Sequence, residues 1–181
     1  MAYLKFNKSE LVNLSYSLKR EILSANKTGS YCNTSIVTCN TRRYHGLLAV
    51  TLDRFGGDRF GIHCYGDVYE PRGHKYVVDF SADPVPQITY KVGDILLRKS
   101  IVLATEKDQV LVRYDLLEAP SALALQLKPF LAFRNIHCLT HQNAEADTEG
   151  REIPGGVAYR LYQAFPDLNM QLSDAKAVFG Q

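Results

Sequence analysis

Hydrophobic and polar residues alternate with a period of two along most of the chain. The clearest case is the pair QITYKV and ILLRKSIVLA, which flank the turn dipeptide Gly93-Asp94. Because successive side chains of a strand point to opposite faces, this alternation is typical of half-buried strands. It predicts strands at Gln87–Val92, Ile95–Ala104, Gln109–Leu117, Ala122–Phe133, Val157–Phe165 and Asn169–Ser173.

Short turns separate these segments, and no helical pattern lies between them. In the Ala122–Phe133 segment, Leu123, Leu125 and Leu127 fall on one face, as a half-buried strand requires. The pattern therefore predicts a mainly-β chain, an antiparallel β-sandwich with little helix.

One segment, Lys8–Asn26, is the serious helix candidate, because its leucine and isoleucine residues follow helical spacing. Strand remains an alternative for Leu11–Ser17. The acidic stretch Asn143–Gly156 ends in Pro-Gly-Gly and is predicted to be an exposed loop.

Length and composition narrow the class of protein. The 181 residues suit one domain spanning residues 1–181, and 46% of them are hydrophobic. No apolar run approaches membrane-spanning length and the polar start is unlike a signal peptide, so we expect a cytoplasmic protein without a membrane partner. The 21 basic and 19 acidic residues are spread through the chain, which argues against a nucleic-acid partner. The chain stops directly after the strand-like AKAVFG, so we expect the domain to be incomplete.

Cysteines and histidines indicate neither disulfides nor a cofactor. The cysteines have no paired C-x-x-C spacing and are predicted to be free thiols; they are Cys32, Cys39, Cys64 and Cys138. Zinc-binding residue types occur at Cys39, His45, His63, Cys64, His74 and His137, but without metal-ligand spacing. We predict no metal and no cofactor.

Three polar segments stand at predicted strand ends: Asn40–His45, Pro71–Tyr76 and Phe133–His137. Arginine can bridge two neighbouring hydroxyl groups, asparagine both donates and accepts, and tyrosine offers a ring face with a polar tip. This inventory suits sugar recognition. The predicted substrate-binding residues are Asn40, Arg42, Arg43, Tyr44, His45, His74, Arg134 and His137.

A structural interpretation of the first polar segment stays open. In it, one arginine pairs with a core carboxylate, while Asn40 and Thr41 satisfy a turn. If the segment is a strand, alternation places Arg42 and Tyr44 on one face and Arg43 and His45 on the other.

Catalytic patterns are absent from the sequence. There is no G-x-S-x-G elbow and no phosphate-binding glycine loop. Glycoside hydrolysis needs two placed carboxylates, and no spacing singles out a pair among Glu21, Glu70, Asp79 and Asp83. We predict no catalytic residue; an autonomous enzyme using His45 and His137 as acid–base groups is the weakest hypothesis.

Several ordered blocks resemble the N-terminal domain of bacterial and archaeal glycogen debranching enzymes. The blocks are REIL with Asn26, Gly29 and Tyr31, then NTRRYHGLL, YEPRGHKYVVDF, PVPQITYKVGDILLRKSIVL, VLVRYDLLEA and LKPFLAFRNIH. The resemblance implies a β-sandwich of the supersandwich, galactose-mutarotase-like type. In that family an (α/α)6 barrel follows the sandwich, carries the catalytic carboxylates and acts as an amylo-α-1,6-glucosidase.

This chain has no room for such a barrel and departs from the family pattern at two further places. The join between Gly56–Arg59 and Gly61–Pro71 is shorter than the resemblance leads us to expect, and Ile22 stands where the family often has tryptophan. The leading hypothesis is a noncatalytic domain that contributes to α-glucan (glycogen branch) binding and shapes the mouth of the barrel. The alternative is a purely structural interdomain or oligomerisation module, which leaves a homo-oligomer open.

Overall fold

The computed structural model describes residues 4–51, 59–62, 73–125, 127, 129, 131–138, 141 and 143–173. These residues form strands β1 to β12, arranged in three antiparallel sheets, and two short helices. The chain divides into two units, Met1–Leu139 and Thr140–Gln181. The predicted mainly-β, sandwich-like fold with little helix is confirmed.

The first sheet of the first unit has the order β1-β2-β3-β4-β9. Its strands are β1 Glu21–Ala25, β2 Tyr31–Ser35, β3 Gly46–Thr51, β4 Arg59–Ile62 and β9 Arg134–Asn135. Adjacent strands are antiparallel, and Gly61 of β4 lies opposite Arg134 of β9. This last pairing brings a segment distant in the sequence into the sheet that also contains β3.

The second sheet is a meander of β5 Val77–Ser81, β6 Gln87–Val92, β7 Ile95–Leu103 and β8 Val110–Glu118. The predicted strands at Gln87–Val92, Ile95–Ala104 and Gln109–Leu117 are confirmed to within a residue at each end. Gly93, in the tight turn between β6 and β7, has φ of +59°. Glycine adopts this left-handed conformation without the penalty that a Cβ atom brings.

The helix candidate is only partly right. Helices α1 Lys8–Val12 and α2 Leu14–Ser17 occupy its first half, whereas its second half forms β1. Asn7 caps α1 in a reciprocal capping box with Glu10, and Asn13 both ends α1 and caps α2. The alternative of a strand at Leu11–Ser17 is wrong, because these caps favour helical turns there.

The main core of the first unit joins α1 to both sheets. Its buried members come from α1, from the residues after β2, and from β5 and β6: Leu11, Ile36, Val37, Val77, Phe80 and Ile88. Partly buried side chains such as Phe6, Ile22 and Tyr90 pack around them. Strands therefore supply only part of this core, and α1 and the residues after β2 supply the rest.

The predicted strand at Ala122–Phe133 is wrong for the residues of that range that the structure describes, none of which lies in a strand. Leu123, Leu125 and Leu127, expected on a buried face, are 39%, 47% and 44% exposed. Alternation is a necessary feature of a half-buried strand but does not supply the partner strand that stabilises it.

The second unit contains a three-stranded sheet of β10 Arg151–Ile153, β11 Gly156–Tyr159 and β12 Leu168–Gln171, with β11 in the middle. The predicted loop at Asn143–Gly156 is corrected by β10, which lies within it. The predicted strand at Val157–Phe165 ends at Tyr159. Gly155, with φ of +71°, lies in the turn that joins β10 to β11.

Two other expectations concern cysteines and membranes. Cys32, Cys39 and Cys138 are free, while Cys64 lies outside the described residues. Burial raises the pKa of the Cys32 thiol to about 11, which disfavours the reactive thiolate. Among the residues described, no helix is long and apolar enough to cross a membrane.

Candidate functional site

The first polar segment forms a turn before β3, so the alternation expected if it were a strand does not apply to Asn40–His45. The main-chain N–H of His45 donates to the carbonyl oxygen of Arg42 at 3.0 Å. The Nδ1 atom of His45 accepts from the main-chain N–H groups of Thr41 and Arg42, at 3.0 and 3.2 Å. The histidine side chain thus supplies an acceptor for two main-chain donors of its own turn.

Glu21 of β1 binds both Arg42 and His45 through one carboxylate oxygen. The distances from Oε1 are 2.6 Å to Nη1 of Arg42 and 2.9 Å to Nε2 of His45. Because Nδ1 of His45 is an acceptor, the ring proton belongs on Nε2, which donates to Glu21. Arg42 and His45 thus share one partner, although alternation in a strand would place them on opposite faces.

The same contacts set the charge state of Glu21. Partial burial acts to raise the pKa of this carboxyl group, but the hydrogen bonds from His45 and Arg42 and the charge of Arg42 outweigh it. The net result is a pKa below the ordinary value. The structure thus contains the arginine–carboxylate pair of the structural interpretation, formed by Arg42 and Glu21.

Asn40 helps to fix the start of the turn. Its Oδ1 atom accepts a hydrogen bond of 2.6 Å from the Thr34 hydroxyl group of β2, and the residue is only 8% exposed. The neighbouring carbonyl of Cys39 accepts from the Ser35 hydroxyl at 2.8 Å. These contacts anchor the turn to β2. They also occupy Oδ1 of Asn40, the atom that could accept a hydrogen bond from a ligand.

Arg134 closes the turn from the other side. It is 3% exposed, and its Nη2 atom donates to the Arg43 carbonyl at 2.7 Å. Its Nη1 atom donates to the carbonyls of Asn135, Ile136 and Cys138, at 3.0, 3.2 and 2.5 Å. A buried guanidinium group is tolerated only with such hydrogen bonds. Arg134 is thus a positioning residue for the main chain.

Tyr44 and His137 meet at the surface of this frame. The Tyr44 hydroxyl lies 3.3 Å from Nδ1 of His137, and the ring centroids are 5.8 Å apart in an edge-to-face arrangement. The Tyr31 hydroxyl donates to the Tyr44 carbonyl at 3.3 Å, which holds the main chain beneath the ring. Tyr44 is 39% exposed. We call the exposed residues Arg42, Arg43, Tyr44 and His137 the Tyr44 surface.

His74 belongs to a different part of the first unit. It lies in a 3-10 helix at Gly73–Tyr76, which packs against α1 and β6, and it is 5% exposed. The eight predicted residues therefore divide equally. Four are buried (Asn40, His45, His74 and Arg134), and the other four form the Tyr44 surface.

Catalytic and metal-binding alternatives find little support at these positions. Both ring nitrogens of the fully buried His45 are hydrogen-bonded within the protein, which contradicts its use as an acid–base group. In the described part of the chain no group of three or more His, Cys, Asp or Glu side chains is arranged to hold a metal ion. His63, Cys64 and Glu70 lie outside that part.

Three residues that hold the site had no assigned role in the sequence analysis: Glu21, Tyr31 and Thr34. Each lies on β1 or β2 and precedes its partner in the turn, by six residues for Thr34, thirteen for Tyr31 and up to twenty-four for Glu21. The positions of Glu21 in the REIL block and of Tyr31 in the G-x-Y block are a sequence signal for two of them, and Thr34 lies in neither block. Spacing alone does not reveal which strand lies beside the turn.

Comparison with known proteins supports the resemblance. The family described as "Glycogen debranching enzyme N terminal" matches residues 20–60 and 56–181. The two matched stretches meet at residues 56–60, next to the join that is shorter than the family pattern leads us to expect. Searches of curated proteins and of solved structures found no match.

Proposed function

The chain belongs to the family of glycogen debranching enzyme N-terminal domains, and from this we propose that it is a noncatalytic domain that helps such an enzyme bind α-glucan. In this proposal the glucan contacts the Tyr44 surface. The domain also shapes the mouth of a catalytic (α/α)6 barrel carried elsewhere. The substrate class comes from the family, and the contact surface comes from the geometry of the turn.

One observation carries the choice of surface: an exposed aromatic ring stands beside cationic and imidazole groups on a main chain that buried residues hold fixed. Tyr44 offers a ring face for the C–H side of a pyranose. Arg43 and Arg42 offer guanidinium donors to hydroxyl groups, although Arg42 already donates to Glu21. Because Tyr31, His45 and Arg134 hold the turn, little ordering is needed when a sugar binds.

Calorimetric titration of the full chain with maltooligosaccharides and a branched dextrin tests this proposal. We expect Tyr44→Ala to weaken binding by about tenfold, since an aromatic ring contact is worth about 1 kcal/mol beyond the apolar area that it buries. Tyr76→Ala is the matched control, because Tyr76 is 47% exposed in the 3-10 helix, away from the turn. No binding by the unsubstituted chain would refute the glucan-contact proposal.

Three of the other predicted residues are consistent with the structural-module alternative. Asn40, His45 and Arg134 are buried and hydrogen-bonded within the protein, so their polar character has an explanation without a ligand. Under this alternative, Tyr44→Ala leaves glucan affinity unchanged, whereas His45→Ala lowers the free energy of unfolding. The two measurements together separate a binding role from a folding role.

A further inference from the structure

Strand β8 is an edge strand that carries exposed leucine side chains. It is the last strand of the sheet β5-β6-β7-β8, and β7 is the only described element with which it makes extensive contact. At the opposite end of the sheet, β5 packs against α1. The main-chain groups along an edge strand are a template for pairing with another strand.

The exposed side chains of β8 are mostly apolar. Leu111, Leu116 and Leu117 are 53%, 47% and 39% exposed. Proteins commonly protect such edges with charges of one sign, which repel a second copy. Here the two charged residues near the middle of the strand, Arg113 and Asp115, have opposite signs and form an ion pair at 2.6 Å.

This arrangement is self-complementary. If two β8 strands pair antiparallel about a two-fold axis at Tyr114, Arg113 of one copy lies opposite Asp115 of the partner subunit, and the reverse contact forms by symmetry. Val112 then lies opposite Leu116 of the partner subunit. Leu111 lies beside Leu117, next to the register shift that interrupts the β7–β8 pairing near Leu96 and Leu97.

We propose that β8 is a self-association surface, and that its partner is a second copy of this chain in this antiparallel register. The proposal goes beyond glucan binding and uses none of the residues of the Tyr44 surface. Opposite charges facing each other across an antiparallel pair stabilise it, and exposed leucines gain by being buried there. The order of Arg113 and Asp115 about Tyr114 is complementary to itself, which favours a second copy over a partner of unrelated sequence.

The edge strand β1 offers a comparison within the same unit. It has five residues against nine in β8, and Leu23 is 68% exposed. Pairing of two β1 strands about Leu23 would place Glu21 opposite Ala25, with no complementary charge. An exposed leucine on an edge strand is therefore not enough; the charge order distinguishes β8.

Charge reversal gives a sharp test by sedimentation velocity of the full chain over a range of concentrations. We expect a concentration-dependent dimer. Arg113→Asp places two acidic residues opposite each other, and Asp115→Arg places two basic ones, so each substitution alone should raise the dimer Kd about tenfold or more. Mixing the two variants should restore association as a heterodimer, and the double swap should restore the homodimer.

Lysine substitutions locate the interface. Leu111→Lys should weaken the dimer, whereas Leu23→Lys on β1 and Leu123→Lys after β8 are matched controls that should leave it unchanged. Far-UV circular dichroism checks that each variant is folded, and recovery in the mixture also excludes unfolding as the cause. A monomer at all concentrations, a dimer insensitive to both charge reversals, or a dimer lost in Leu23→Lys would overturn the proposal. Loss of glucan binding has no bearing on these outcomes.

Discussion

At Glu21 two opposing effects act on one carboxylate. Partial burial disfavours the charged form, while His45 and Arg42 favour it, and the pKa of Glu21 falls below its ordinary value of 4.5. The buried partner matters more than the exposed one. His45 is fully buried and would lose its acceptor, whereas the Arg42 side chain is 61% exposed and can bind water instead.

A pH-dependent stability difference follows from this lowered pKa. A depressed folded-state pKa stabilises the fold above the ordinary pKa of 4.5, and the stabilisation is lost as the pH falls through the folded-state value. We expect Glu21→Gln to lower the free energy of unfolding by about 1 kcal/mol at neutral pH. The difference from the unsubstituted chain should shrink on acidification, as measured by urea denaturation at several pH values.

Glu106→Gln is the control for that measurement. Glu106 pairs with Lys27 at 2.9 Å, but both side chains are more than 70% exposed, so the loss of the pair should be small at any pH. A Glu21→Gln effect that stayed constant down to strongly acidic pH would contradict the assignment of the carboxylate as the stabilising group.

The residues of the turn also show what the sequence could and could not predict. Residue types left a polar turn with an arginine–carboxylate pair open as one interpretation, and the structure contains both. Alternation then assigned faces as if Asn40–His45 were a strand, and this failed because His45 satisfies main-chain donors that a strand would offer to a neighbour. A side chain that bonds to its own main chain breaks the period of two, and no hydrophobic pattern signals it.

Among the elements, hairpins were predictable and isolated segments were not. Gly93-Asp94 sets the β6–β7 turn, and local turn chemistry fixes the register of both strands. The segment containing Leu123 and Leu125 has the same alternation but no strand partner among the described residues, so it stays outside the sheets. The helical part of Lys8–Asn26 divides into α1 and α2 because Asn13 caps both helices, although the helical spacing of hydrophobic residues continues through it.

The β6–β7 hairpin gives a prediction that depends on the main chain alone. A Cβ atom at Gly93 would meet nothing within 4 Å, so Gly93→Ala has no steric clash, only the cost of φ at +59°. We expect it to lower the free energy of unfolding by about 1 kcal/mol. Gly73 is equally open but has no positive φ, so Gly73→Ala is a matched control that should change stability little. Equal effects in a denaturant titration would contradict the backbone explanation.

On the scale of the whole first unit, hydrogen bonds at one end join its two sheets. Asn26, in the β1–β2 turn, donates from Nδ2 to the carbonyls of Ala104 and Lys107 beside the β7–β8 turn, at 3.0 and 2.9 Å. Ser30 adds a hydroxyl donor to Asp108 at 2.5 Å. The sequence does not predict that these two turns meet. The partners are about eighty residues apart, and the hydrophobic pattern carries no information about polar contacts.

Removing the Asn26 amide should therefore loosen one sheet from the other. We expect Asn26→Ala to lower the free energy of unfolding by about 1–3 kcal/mol in urea denaturation, because several hydrogen bonds are lost and the part-buried bond to the Ala104 carbonyl is among them. Asn143→Ala, which removes an exposed amide from a turn of the second unit, should cost less.

Asn26→Asp separates the two roles of this side chain. The aspartate retains acceptors for the main-chain N–H groups of Thr28 and Ser30, which organise the β1–β2 turn itself. It loses both donors to the second sheet and brings a negative charge towards two carbonyl oxygens. If the bonds between sheets provide most of the stability, Asn26→Asp should be nearly as destabilising as Asn26→Ala. If it is as stable as the unsubstituted chain, the local turn accounts for the effect of Asn26→Ala, and the Asn26 hydrogen bonds between the sheets contribute little to stability.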